Sequence, residues 1–146
     1  METTLERLTQ DECLALLRVT SVGRIAFVAD DFPVALPVNY RLVEEGERIR
    51  IVLRTHPGNV IDHAPLRVAL QIDGIDQFRH GGWSVLVRGT LDHLDPAEIR
   101  VAADRYDPVP WLDGRDAWLA VTPGSITGRR LAGRELEWAF HLRAYL

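Results

Sequence analysis

Residues 24–54 read RIAFVADDFPVALPVNYRLVEEGERIRIVLR. Their dominant period is two. Arg24 to Ala29 reads as a strand and Asp30-Asp31 as a turn. Pro33 to Tyr40 reads as a second strand, with Val34, Leu36, Val38 and Tyr40 on one face. Glu44-Glu45-Gly46-Glu47 interrupts the pattern as another turn. Arg48 to Arg54 resumes it, with Ile49, Ile51 and Leu53 facing one way. Links this short join antiparallel neighbours, because parallel strands need crossovers of about a dozen residues or more. Pro37 cannot donate to a ladder, so an edge or a bulge is expected there.

Upstream, Thr9-Gln10-Asp11-Glu12 fits a capping box, and Cys13, Leu16, Leu17 and Thr20 follow on one helical face. That helix is expected to stop near Ser21-Val22-Gly23. Downstream, Thr55 to Asn59 is a turn leading into a short helix over 60–64, which Pro65 ends. Arg67 to Asp73 and Trp83 to Leu91 alternate as strands. Asp95-Pro96-Ala97-Glu98 opens a second helix, with proline at a first-turn position where its missing N–H costs little. Tyr106 to Gly114 reads as an ordered loop. Ala117 to Val121 and Ser125 to Leu131 read as two strands; in the tail the alternation of Leu136, Trp138, Phe140, Leu142, Ala144 and Leu146 favours a last strand, whereas its Glu, Ala and Arg content favours a helix. The expected fold is a single mainly β domain over residues 1–146. It has seven or eight strands, mostly antiparallel, closed or nearly closed as a barrel, with two or three short helices.

Composition narrows the function. The 146 residues are 47% hydrophobic and 26% charged, and 17 Lys and Arg against 21 Asp and Glu leave a net charge of −4. That mild value speaks against general nucleic-acid binding. No long apolar run suits a membrane helix, and no basic start followed by an apolar stretch suits a secretory signal. A lone cysteine, Cys13, leaves no internal disulfide. A cytoplasmic protein is expected.

Three stretches could carry chemistry. In Arg54-Thr55-His56-Pro57-Gly58-Asn59 a strand ends in a cation and a hydroxyl, and a Pro-Gly turn leads into a helix start. Free N–H groups and partial positive charge at such a start suit a phosphate, with Arg54, Thr55 and Asn59 as further donors. An ordinary strand–turn–helix capped by Asn59 has the same pattern. Gly81-Gly82-Trp83-Ser84 puts an indole and a hydroxyl at a strand start, where glycines would let a flat ligand near the backbone; a core-anchoring tryptophan reads the same way. Arg129 and Arg130 sit on opposite faces of a strand, so at most one enters a given pocket. The five histidines form no helical metal pair, and no side chain stands out as catalytic acid, base or nucleophile. No metal site and no catalytic amino acid are expected. Redox chemistry supplied by a cofactor remains open to such a chain.

Several stretches, in order, resemble the pyridoxamine 5'-phosphate oxidase-like family of flavin-binding split β-barrels. They are Val22-Gly23-Arg24-Ile25-Ala26-Phe27, Pro37-Val38-Asn39-Tyr40, Arg54-Thr55-His56-Pro57-Gly58, Gly82-Trp83-Ser84-Val85-Leu86-Val87-Arg88-Gly89 and Ile126-Thr127-Gly128-Arg129-Arg130. The nearest likeness is to the small actinobacterial-type branch. The resemblance implies a homodimer holding FMN, or a deazaflavin, at its subunit interface, and a flavin-dependent oxidoreductase acting on a small organic molecule. It places the flavin ring along Pro37, Val38 and Asn39, and its phosphate near Arg54, Thr55 and Asn59. Trp83 and Ser84 would lie beside the ring. Relatives commonly carry a basic residue just after the turn glycine, but here Asn59-Val60-Ile61 stands there. Val60 therefore marks the place where cofactor affinity is in question, and a cofactor-less structural or regulatory dimer is the alternative. The Arg-x-His element of the true oxidases has no match near Arg129, so vitamin B6 oxidation is not expected.

Overall fold

The strands expected within residues 24–54 form and pair with their sequence neighbours. The structure, a computed structural model, describes residues 4–132. β1 is Leu5–Arg7, β2 Val22–Ala29, β3 Phe32–Glu45, β4 Arg48–Thr55, β5 Leu66–Asp76, β6 Gly81–His93 and β7 Ala117–Leu131; α1 is Gln10–Val19 and α2 Pro96–Arg105. The strands bond in the order β1-β7-β4-β3-β2-β5-β6, and β6 returns to pair with β7. Every ladder is antiparallel. The β6–β7 ladder closes the sheet into a barrel. β7 pairs with β4 over Ala117–Val121 and with β6 over Leu119–Leu131, and its last residues, Arg129–Leu131, also meet β1. Among the described residues the fold is thus the expected one, mainly β with seven antiparallel strands and flanking helices.

Four details differ from the sequence reading. α1 stops at Val19 with Thr20 as its cap, and Val22-Gly23 belongs to β2 instead of ending the helix. β7 is one strand, not two. Thr122-Pro123-Gly124 does not end it but bulges it: Gly89 faces Pro123 while Arg88 faces Ser125, so Gly124 is the extra residue. β3 continues past Tyr40 to Glu45, because its far half changes partner from β2 to β4. β1 is a short strand of exposed residues with no periodic signal to reveal it. The expected strand over 136–146 lies outside the described residues. Among the described residues, no helix is long and apolar enough to cross a membrane.

Both helices begin as their sequences require. Thr9 Oγ1 accepts the Glu12 N–H while Glu12 Oε1 accepts the Thr9 N–H, and Asp95 and Glu98 repeat the exchange at α2. α1 buries Cys13 and Leu17 against the barrel interior, among Ile25, Tyr40, Leu53 and Leu70. α2 covers the outside. Its Ala102 packs with Val43, Val52, Trp118 and Ala120 in a second cluster. Hence Ile51, Val52 and Leu53 are all buried, although alternation sends Val52 outward.

Candidate functional site

β3 pairs with β2 over Phe32–Asn39 and with β4 only from Tyr40 onward. Among the described residues, therefore, one side of the strand has no partner at Pro37, which is the expected edge. The Tyr40 N–H donates to Ser21 O at 2.9 Å, so alternate residues Pro33, Pro37 and Asn39 turn their backbone groups the other way, to the open side. Proline's missing donor costs no ladder bond there. The same geometry leaves the Asn39 N–H and the Pro37 carbonyl at an open edge.

That edge borders a cavity of about 390 Å³. Six of the sequence-read residues meet around it: Pro37, Val38, Asn39, Arg54, Thr55 and Asn59. Val22, Leu36 and Ile61 add apolar wall. The opposite wall is the loop between α2 and β7, through Pro110, Trp111, Leu112 and Arg115. Sequence reasoning missed this loop wall. Its one visible signal was composition, since prolines and a tryptophan between two elements mark an ordered loop.

Arg54 holds the loop. Its Nε donates to Arg115 O at 2.8 Å, and its Nη1 donates to both Asp107 oxygens at 3.0 and 3.2 Å. Its guanidinium also lies 4.7 Å from the Trp118 ring centroid. Asp116 approaches Nη2 at 3.9 Å. The loop is further tied where Asn39 Nδ2 reaches Val109 O at 3.5 Å. Asn39 and Arg54 thus have structural partners as well as a place on the cavity.

The turn after β4 is largely self-satisfied. Val60–His63 is a single 3-10 turn. The Gly58 N–H donates to Asp62 Oδ2 at 2.8 Å, the Asn59 N–H to His56 O, and the Ile61 N–H to Asn59 Oδ1 at 3.5 Å. Asp62 Oδ1 in turn meets His93 Nε2 at 2.7 Å. The Gly58 N–H, and after it the His93 ring, hold the Asp62 carboxyl below the usual aspartate range. The free N–H groups expected here are therefore mostly spent within the chain. Val60 opens the 3-10 turn, at the place the resemblance marked.

Trp83 and Ser84 do not join the other residues. They line a second hollow of about 480 Å³, with Leu5, Ile75, His80 and Arg129, and the two hollows share no lining residue. Trp83 lies against Gly74: a Cβ on that glycine would stand 2.7 Å from Trp83 Nε1. Exposed apolar side chains flank both hollows, Trp111 at 83% and Leu112 at 63% beside the first, Ile75 at 66% and Leu5 at 64% beside the second.

The first hollow fits part of a flavin nucleotide. Its size lies within the ~300–1,000 Å³ usual for ligand sites, and apolar walls with a polar strand edge suit a flat ring having one hydrogen-bonding side. The phosphate end fits less simply, since Arg54 and the turn already have partners.

Comparison with known proteins agrees with this architecture. Residues 9–130 match the family model described as pyridoxamine 5'-phosphate oxidase. The chain is 31% identical over 135 residues to uncharacterized protein Rv0080 of Mycobacterium tuberculosis, covering 85% of this chain and 84% of that one. It resembles the structure of the FAD-binding protein from Mycobacterium smegmatis, with 26% identity, a TM-score of 0.65, and coverage of 87% and 98% of the two chains. A conserved protein of unknown function from Corynebacterium diphtheriae superposes with a TM-score of 0.73 at 25% identity, over 88% and 98%. With its barrel closed by β6 and β7 and most of its length within the family model, the chain belongs to the pyridoxamine 5'-phosphate oxidase family.

Proposed function

We propose that the protein is a homodimeric flavin-binding oxidoreductase, with FMN, FAD or a deazaflavin in the cavity beside Pro37-Val38-Asn39. The observation that carries this reading is the open β3 edge facing an apolar-walled cavity. The Asn39 N–H and Pro37 carbonyl are suited to the polar side of the ring, and Val38, Ile61 and Leu36 to its apolar faces. FAD binding by the Mycobacterium smegmatis relative adds FAD to the candidates. A bound flavin carries hydride or electrons itself. The chain's part is to grip the ring, exclude water with the 106–116 loop, and leave one ring face open to a small organic substrate.

Two protomers are part of this reading. Trp83 and Ser84 stand at a hollow separate from Pro37 and Asn39, and each hollow is bordered by exposed apolar side chains. Apposing one protomer's Trp83 hollow to its partner's Asn39 cavity would bring both groups of residues to one ligand and cover those side chains. Titration with FMN, FAD and a deazaflavin, followed by absorbance and sedimentation velocity, tests the proposal. The expected result is a dimer that binds at least one of the three. Absence of binding at about 100 µM, an affinity weaker than about −5.5 kcal/mol, would end it.

The cofactor-less reading has its own support, because Arg54 is neutralised by Asp107 and the turn donors are occupied. A colourless dimer that takes up none of the three flavins is its expected signature.

A further inference from the structure

We infer that Arg115 is the anion-binding group of the first cavity, and that the ligand presents a phosphate to it. This rests on the reading of that cavity as the nucleotide site. The argument is one of elimination among charges. Among the described residues two arginines line the cavity, Arg54 and Arg115. The Arg54 charge is met by both Asp107 oxygens, with Asp116 at 3.9 Å, and its Nε–H is spent on a carbonyl. The turn that a phosphate would otherwise approach donates Gly58 N–H to Asp62 and Ile61 N–H to Asn59. Arg115 differs from both. It is half-buried at the cavity wall, and among the described residues its side chain has no ion pair and no hydrogen bond.

A half-buried guanidinium beside apolar walls gives up part of its hydration without a counter-charge in return. A phosphate arriving there gains bidentate, charge-assisted hydrogen bonds. The fold also holds Arg115 in place without using its side chain. Its carbonyl accepts from Arg54 Nε, so the backbone is anchored while the guanidinium stays available. Arg54 is then a positioning residue, acting on the anion through the loop. The basic residue absent at Val60 is replaced by one contributed from 55 positions further along the chain.

The test compares FMN with riboflavin, which lacks the phosphate. The wild-type protein is expected to bind FMN more tightly, and Arg115→Gln to weaken FMN about 10- to 100-fold while leaving riboflavin unchanged. Arg115→Lys should recover part of the loss. Because the carbonyl bond to Arg54 survives substitution, the variant keeps the loop clasp. An FMN advantage that persists in Arg115→Gln overturns the proposal. If the wild type binds neither FMN nor riboflavin, inorganic pyrophosphate decides on Arg115, while the nucleotide reading falls only if FAD and a deazaflavin fail as well. A thermal shift at millimolar pyrophosphate that vanishes in Arg115→Gln supports the anion site. The same shift in both proteins, or in neither, overturns it.

Discussion

Tyr40 is fully buried, and its hydroxyl donates to Leu17 O at 2.9 Å. A helix leaves its last carbonyls without partners, and here a side chain from β3 supplies one of them. Burial pushes the Tyr40 phenol well above its ordinary range, so it stays a neutral donor. Tyr40→Phe keeps the ring and strands the carbonyl. It is expected to cost about 1–3 kcal/mol, read as a lower urea midpoint with an unchanged m-value. Cys13 is equally enclosed, and burial raises its thiol, which removes it from nucleophilic roles in the native state.

The loop between α2 and β7 works as one piece because Arg54 grips it at Asp107 and Arg115, at a site stacked on Trp118. Arg54→Met retains much of the packing on Trp118 and removes every charged bond. The barrel should remain folded while amide exchange across 106–116 speeds by about tenfold or more, since charge-assisted bonds contribute about 1.5–3 kcal/mol. Hydrogen-exchange mass spectrometry reads this directly. Unchanged exchange would mean that the Asn39–Val109 contact and the prolines hold the wall without Arg54.

Among the described residues, three carboxylates are held below their ordinary range by hydrogen-bond partners, two of them within a single turn. The Thr9 N–H lowers Glu12, the Arg18 guanidinium lowers Glu44, and the Gly58 N–H lowers Asp62. Each binds its proton less readily in the folded chain than in the unfolded one. Their contribution is fully present above the unfolded carboxylate range of about pH 4, and is lost as pH falls through the lower folded values. Urea midpoints should therefore fall between about pH 5 and pH 3. A double variant, Glu44→Gln with Asp62→Asn, should show a shallower decline. An equal slope in both proteins would place the acid sensitivity elsewhere.

Much of this barrel was written locally. The capping boxes at Thr9–Glu12 and Asp95–Glu98 lie within single turns, and period-two alternation marks β2 to β6 because one face of each strand turns to the barrel interior. Pro37 announced the edge that became the cavity wall, since a missing N–H is a property of one residue. The merging of two expected strands into β7 was not legible, because a bulge at Gly124 is defined by its partner Arg88. Nor was the state of the site. Arg54 is a free cation in the sequence and a neutralised one in the fold, because Asp107 stands 53 positions away. The resemblance places Trp83 and Asn39 at one ring, yet they line different hollows in one chain. Local chemistry selected the elements, whereas charge pairing and cavity lining depend on distances between elements, which exist only after the sheet has closed.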